Sequence, residues 1–584
     1  MTPEESDSSQ SPRLERYERL ARELAAAYSR GDMNAIRELN WSYGTSFVWE
    51  REPEAMQRRL PTWFASEART EDLAVADAQR MVAHSYGLES WAEFAESVLQ
   101  PPRDSRSPPN FTNSTAPFYQ IDWRDNRLSV RGPLSERDWD VIAGVMEDAQ
   151  IAKLSAGGMT DAGMKRISEL AHITHLRVGD SKELTDEGAR HLARMPELVE
   201  LELGGWVSPI TDRALEALRH LPKLSRFKSC RTKHLTDAGV AHLAGCDRLE
   251  SVDLMGAPVG DGLLRALAGK PHLRQLKTGR NVTDQGLALL HEFPIFKTWR
   301  GGETRYELMS ADAEPNHLLL DGPITDAGLA SLAGLDGLFG LSFFWHCPAF
   351  TAAGLEPLRN LPRLGFLGCQ GEHCDDEAMR HIAAMPGLRM LMGQGAVAGD
   401  DGFVALSGSQ TIEYIWGREC PNLGGKGFAA LAEMPALKGL AVSCKHVDEA
   451  SLATLPQFRA LRGLMPMDVS DEGFGYIGQC ENLESLRCMY CRETGDAATE
   501  HIAGLPLKSY YAGMTKITDR SLEILGRMAS LERLEFWQCA GLTNAGVAHL
   551  AALPQLREIS LDGLPGVSRK AVELFPAHVR VQCA

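Results

Sequence analysis

Apolar residues along this 584-residue chain change their period twice within each stretch of about 25 residues. In residues 236–245, TDAGVAHLAG, Val240 and Leu243 fall three and six positions after Asp237, the spacing of a single buried stripe on a helix. A few residues on come Leu249, Val252 and Leu254, the last two alternating with a polar residue as a short strand does. Thr236 or Asp237 suits the start of the helix. Either side chain accepts a hydrogen bond from a free backbone N–H, and the carboxylate also favours the positive end of the helix dipole. The phrase LTDAGVAHLAGCDRLESVDLMG at 235–256 returns near the C-terminus as LTNAGVAHLAALPQLREISLDG at 542–563.

Aligned on its Asp or the residue replacing it, the unit recurs at Asp161, Asp186, Asp212, Asp237, Asp261 and Asp284. After a gap it continues at Asp326, Ala352, Asp376, Asp400, Gly425, Asp448, Asp471, Asp496, Asp519, Asn544 and Arg569, and a weaker copy begins near Glu136. Apart from the gap, the spacings run from 23 to 26 residues, the period of a solenoid. One coil of this length cannot bury its own apolar face, whereas coils stacked at the strand separation of about 4.8 Å share a continuous core. The count is about 18 coils, so the inner strand row is on the order of 80 Å long.

The succession L-x-x-L-x-L, a Cys or Asn turn and I-T-D-x-G-L resembles the leucine-rich repeat family, in the cysteine-containing, F-box-associated variety also met in bacterial proteins. It covers residues 119–584. The resemblance implies an α/β fold: a leucine-rich repeat solenoid, or horseshoe, of about 18 coils with an inner parallel sheet and outer short helices. It also implies protein binding, with partners that differ from member to member.

Residues 1–100 lack the repeat and read as a small all-α domain. Leu14, Tyr17, Leu20, Ala21, Leu24, Ala25 and Tyr28 form a helical stripe ended by Gly31. Further helices are predicted from Asn34, at 53–60, at 71–86 and around Trp91 to Leu99. The segment DAQRMVAHSYGLESWAEFAESV resembles a helical segment found ahead of ankyrin-type repeat arrays in bacterial proteins, and no Leu-Pro-x-Glu start of an F-box is present. The Pro- and Ser-rich stretch 101–118 reads as a flexible linker. A first arc then occupies 119–300. The 42-residue step from Asp284 to Asp326 holds an inserted loop at 301–317, a hinge, a lid or a tolerated insertion, and a second arc occupies 318–584. Before the loop, FKTW at 296–299 reads as a strand. His317-Leu-Leu-Leu320 restarts the pattern, and Leu128-Ser-Val130 opens it.

Charge narrows the classes. A net charge of −17 without a basic block argues against binding of nucleic acid or an anionic membrane. No basic n-region precedes an apolar run at the start, and no uninterrupted apolar stretch is long enough to span a bilayer. The expectation is a cytoplasmic monomer in which the 12 cysteines stay thiols and the sequons at Asn110, Asn113 and Asn281 carry no glycan.

Motifs of chemistry resolve into the repeat. Cys488-Met-Tyr-Cys491, with Cys480 upstream, has zinc-ligand spacing. In register, however, Cys488 is the last apolar strand position and Cys491 shares a buried turn position with Cys420 and Cys539, so structural thiols are expected. His191, His242, His381, His501 and His549 share one outer-helix position. His373-Cys374-Asp375-Asp376 ends on an ordinary helix-start residue, and Leu423-Gly-Gly-Lys-Gly427 lacks phosphate-loop spacing. No catalytic residue, metal or cofactor is expected.

Recognition is therefore sought at the positions between the buried strand residues. In the first arc these are small or charged: His175, Arg177, Glu200, Glu202, Arg226, Lys228, Ser251, Asp253, Gln275 and Lys277. In the second arc they are Phe344, Trp345, Phe366, Met390, Met392, Gln394, Tyr414, Trp416, Arg418, Arg487, Tyr490, Tyr511 and Trp537. These residue types are enriched where proteins meet, and Gln370, Gln394 and Arg418 share one strand-end position beside them. The competing reading is that these side chains pack on one another across adjacent strands. The expectation is a non-enzymatic scaffold holding a protein partner on the concave face of the second arc. The alternatives are a substrate-recognition adaptor of ubiquitin-ligase type, or an enzyme whose site lies in the N-terminal domain or the inserted loop.

Overall fold

The computed structural model describes residues 12–43, 75–86, 88–99, 118–299, 316–344, 347, 349–489 and 491–583. The helix expected at 53–60, the linker before Phe118 and the inserted loop before Asn316 lie outside the described residues. The chain forms two compact units. One comprises 1–133, 494–500 and 508–584, the other 134–493 and 501–507.

In the first unit, α1 (Pro12–Ser29), α2 (Met33–Tyr43), α3 (Val75–Ser85) and α4 (Trp91–Leu99) enclose one apolar core. The stripe read from the sequence supplies it: Tyr17, Leu20, Leu24 and Tyr28 are buried with Ile36, Met81, Val82 and Phe94. Tyr17 meets Phe94 edge to face at 5.0 Å. After α1 the chain turns at Gly31, whose φ of 64° favours glycine. Next, β1 (Tyr119–Asp122) and β2 (Arg127–Val130) form an antiparallel hairpin.

The second unit opens with α5 (Glu136–Asp148), closed at its start by a capping box between Ser135 and Asp138. Its strands are β3 (Lys153–Ser155), β4 (His175–Arg177), β5 (Glu200–Glu202), β6 (Arg226–Lys228), β7 (Ser251–Asp253), β8 (Gln275–Lys277), β9 (His317–Leu320), β10 (Gly340–Phe343), β11 (Phe366–Gly368), β12 (Met390–Met392), β13 (Tyr414–Gly417), β14 (Gly439–Ser443), β15 (Gly463–Met467) and β16 (Ser485–Met489). All pair in parallel with their sequence neighbours, and the middle apolar residue of each stacks on the next. The row runs Leu154, Leu176, Leu201, Phe227, Val252, Leu276, Leu318, Leu341, Leu367, Leu391, Ile415, Leu440, Leu464 and Leu486. Every member is buried, so a slip of one residue would turn the row to solvent. The chain carries strand-and-helix coils at every register position read above, the α/β solenoid of a leucine-rich repeat.

The remaining four coils belong to the first unit: β17 (Ser509–Gly513), β18 (Arg533–Trp537), β19 (Glu558–Asp562) and β20 (Arg580–Cys583), again in parallel register. The N-terminal helices meet these last coils. Glu89 accepts hydrogen bonds from Ser568 Oγ at 3.0 Å and Lys570 Nζ at 2.6 Å. Arg131 is buried beneath the ring of Tyr86, 5.4 Å from its centroid, and Arg580 pairs with Asp122 at 3.3 Å.

The repeated Thr-Asp resolves into two roles. Thr236 caps its own helix, accepting from Ala238 N–H, while Asp237 is the first helical residue and turns to the next coil, where it accepts from Gly260 and Gly262. One expectation is corrected. The strand expected at 296–299 is absent: Pro294–Lys297 is a helical turn with Pro294 at its first position, which buries Phe296 beside Phe293. Proline's fixed φ pre-forms a helix start and cannot donate to a strand ladder.

Candidate protein-binding face

On the outward face of β9–β15, large side chains sit where the neighbouring coil supplies a small one. Along one register row run His317, Gly340, Phe366, Met390, Tyr414, Gly439 and Gly463. Because Gly340 has no Cβ, the His317 ring lies across it, and an added Cβ would come within 2.9 Å of His317 Cγ. That places the His317 ring 5.0 Å from Phe366, edge on, with His317 Nε2 3.0 Å from Ser342 Oγ. Phe366 and Met390 are buried together with Phe339, and Trp299, Met392 and Tyr414 pack on that cluster. Two residues along each strand, the row Gly368, Met392, Trp416, Ala441, Met465 is built on the same logic. Ala441, Met465 and Met467 are buried under Trp416 and Met489.

Cross-strand packing thus divides the residues singled out from the sequence. Phe366 and Met390 are floor. Met392, Tyr414 and Trp416 lie half-buried on it, and Gln394, Arg418 and Arg487 are half-buried at the strands or their ends. The Trp416 indole Nε1 is shielded from solvent and has no hydrogen-bond partner among the described residues. Gln370, Gln394 and Arg418 do follow one another in adjacent turns: Gly371 N–H donates to Gln394 O at 3.1 Å and Gly395 N–H to Arg418 O at 2.8 Å. Trp345 and Tyr490 lie outside the described residues. Tyr511 and Trp537 belong to the other unit, where Tyr511 is buried over Gly513 and Trp537 is half-buried.

The face of β4–β8 differs in chemistry. Glu200 takes Arg177 at 2.5 Å and Arg226 at 2.9 Å, Lys228 meets Glu202 at 2.9 Å, and Lys277 lies 3.5 Å from Asp253. Burial opposes the charge on Glu200, but hydrogen bonds from the two guanidinium groups outweigh it and hold its carboxyl below the usual range. Charges on this surface are largely matched within the sheet.

The cysteines and the acidic cluster occupy structural places. Cys491 Sγ donates to Pro466 O at 3.2 Å, Cys420 Sγ to Gly417 O at 2.8 Å and Cys539 Sγ to Ala512 O at 3.4 Å, and Cys488 is buried in its strand. Asp375 caps the helix Asp376–Ala383, Asp376 accepts from Gly399 and Gly402, and the His373 ring stacks on Phe350 at 4.0 Å. Among the described residues no cluster of three or more His, Cys, Asp or Glu side chains is arranged to hold a metal ion, and no helix is long and apolar enough to cross a membrane.

Reading strand positions alone misses Trp206, which stands in the turn after β5. It is 47% exposed, with Arg231 Cζ 5.3 Å and Lys233 Nζ 5.9 Å from its ring. The available signal is the Gly204-Gly205 pair, which replaces ordinary turn residues of the repeat.

No family model matches the chain, and no curated protein matches it. Solved structures that resemble it include the internalin inlF of Listeria monocytogenes, 15% identical over 60% of this chain and 89% of that one, with a TM-score of 0.26. The Rad7 and Elc1 complex in yeast matches at 14% identity, 77% and 89% coverage and a TM-score of 0.28. The TLR13–ssRNA13 complex matches at 16%, 70% and 65%, with a TM-score of 0.36. At these identities and TM-scores none of their partners transfers to this chain.

Proposed function

We propose that this chain is a non-enzymatic scaffold that holds a protein partner on the outward strand face of β11–β16. The observation supporting this is Trp416: a large indole lies half-exposed on a packed apolar floor. Burying the rest of that ring against a partner removes apolar area from water. Met392 and Tyr414 extend the apolar contact, while Gln394 and Arg418 supply a polar rim. The floor of Phe366 and Met390 fixes these side chains before binding, which lowers the entropy lost on association.

The test is proximity labelling in the native cell with three forms: the intact chain, Trp416→Ala and Arg418→Glu. Partners lost from both variants, each with an unchanged unfolding transition, support the face. An identical partner set in all three removes it. The expected location is the cytoplasm and the expected state a monomer, checked by fractionation and light scattering.

A further inference from the structure

We propose that Met392 and Met489 are reversible oxidation sites, and that their conversion to sulfoxide by a peroxide switches off the strand face of β11–β16. The consequence for binding rests on the reading of that face as a protein-binding surface, whereas the selectivity of oxidation rests on burial alone. Of the methionine side chains described, all are buried except Met255, Met392 and Met489, which are half-buried. Two of these three lie on one face. Met392 stands opposite Trp416 in the register of β12 and β13 and packs on the cluster of Phe339, Phe366 and Met390. Met489 ends β16 and, like Trp416, packs on Ala441, Met465 and Met467. Half-buried thioethers thus lie on either side of β13 and its indole.

Access selects these thioethers over the thiols as the sulfur that meets an oxidant. A cysteine reacts as its thiolate. Eleven of the cysteines are buried, burial pushes Cys347, Cys420 and Cys444 up to about 12, and the half-buried Cys230 donates its proton to Asp253 Oδ1 at 3.0 Å. A thioether has no proton to lose, so its reaction follows exposure. A sulfur lone pair attacks one peroxide oxygen: the S–O bond forms, the O–O bond breaks and water leaves, with two electrons passing from sulfur to the peroxide. The product is a polar group bearing a strong acceptor oxygen. Pressed against an apolar partner surface, that oxygen gives up its water without a replacement donor, which opposes binding. A reductase dithiol reverses the step: the oxygen leaves as water and the two thiols become a disulfide. Met390, Met465 and Met467, buried in the same strands as this face, are internal controls of access.

The experiment treats the full-length chain with hydrogen peroxide and follows each methionine by peptide mass spectrometry. Met392 and Met489 are expected to convert on the order of tenfold faster than Met390, Met465 and Met467, and methionine sulfoxide reductases A and B together should restore them. Met255 should oxidise as well, away from the face, so Met255→Leu is carried in every form used in cells. Proximity labelling in the native cell, before and after peroxide, then compares three such forms, each with itself: the chain otherwise native, the chain with Met392→Leu and Met489→Leu, and Trp416→Ala. Labelling of partners should fall on the order of tenfold after peroxide in the first form and less than about twofold in the second. Equal conversion of buried and half-buried methionines, no peroxide-dependent loss in the first form, or the same loss in the second would each overturn the proposal. The oxidation arm uses the native chain and does not depend on any variant folding. If Trp416→Ala keeps every partner before peroxide, the binding face fails and its regulation with it. If Trp416→Ala loses partners that peroxide leaves bound, the face stands and only its regulation fails.

Discussion

Asp186 and Thr211, 25 residues apart, meet in two hydrogen bonds: Thr211 N–H donates to Oδ1 at 2.8 Å and its hydroxyl to Oδ2 at 2.7 Å. The same pair recurs as Asp161 with Thr185, Asp212 with Thr236, and Asp519 with Thr543. It also spans the insertion, as Asp284 with Thr325. Each Thr caps its own helix and each Asp holds the next coil, so the motif is a staple between neighbours. Asp186→Ala is expected to cost about 2–3 kcal/mol, two charge-assisted hydrogen bonds to a half-buried carboxylate. Asp186→Asn should cost less, because Asn544 fills the same role toward Ser568 with bonds of 3.0 Å each. Urea unfolding midpoints of the two variants check the order.

The glycine two residues after the Asp follows from that staple. A Cβ on Gly239 would lie 2.3 Å from Asp212 Oδ1. In an exposed helix Gly→Ala stabilises by about 1 kcal/mol. Here Gly239→Ala should destabilise by about 1–3 kcal/mol through overpacking. In the Asp212→Ala background the penalty should shrink or reverse, a coupling that a double-mutant cycle by urea unfolding measures.

Asp496 gives the staple a pH signature. Burial raises its pKa, but hydrogen bonds from Ser521 and Thr518 outweigh that, and the carboxyl is held below its usual range. A carboxylate with a depressed folded pKa contributes stability above its unfolded value of about 4 and loses it as pH falls through the folded value. Acid unfolding of the native chain should therefore steepen below about pH 4, and Asp496→Asn should flatten that part of the curve while leaving the slope above pH 5–6 unchanged. Chemical unfolding across pH 2–7 is the measurement.

Much of this was legible because a repeat states its own register. The positions aligned on Asp161 through Arg569 mark the helix starts, and the apolar strand residues form the buried row from Leu154 to Leu486. Periodicity cannot tell a side chain lying over a neighbour's glycine from one facing solvent. Phe366 looks exposed in its strand and is buried, because Gly340 in the preceding coil admits the His317 ring against it. Trp206 was hidden for the converse reason. It lies in a turn, outside the alternation that marks strand faces, and the chain reaches it through Gly204 and Gly205, whose φ of 90° and 125° favour glycine. Phe296 sits in a helical turn because Pro294 sets the local backbone before apolar alternation can act.

The thiols should be nearly inert in the native chain. Eleven of the cysteines are buried and Cys230 is half-buried. Burial pushes the Cys347, Cys420 and Cys444 thiols up to about 12, so at pH 8 about one in ten thousand is thiolate. Burial and then the neighbouring Asp253 carboxylate raise Cys230 as well. A disulfide reagent such as dithionitrobenzoate should label the folded protein over hours and release 12 equivalents at once in guanidinium. Fast stoichiometric reaction of any native thiol would contradict the packing.

Removing residues 1–118 should destabilise the last coils selectively. The N-terminal helices cover Arg131 with the Tyr86 ring, place the Tyr43 ring 3.2 Å from where a Cβ on Gly132 would sit, and tie Glu89 to Ser568 and Lys570. All of these contacts lie inside the first unit. Without them, Arg131 loses its aromatic cover and the helical side of the final coil loses its ionic partner. Hydrogen exchange should then rise in peptides from β18–β20 and stay near native values in β4–β12, whose staples and buried row are internal to the second unit. A charge exchange separates ionic attachment from packing. Lys570→Glu alone should raise exchange in the last coil, and Glu89→Lys in the same chain should restore it. If the double variant exchanges as fast as the single one, Glu89 does not hold Lys570 in solution, and attachment depends on Tyr43 and Tyr86 alone.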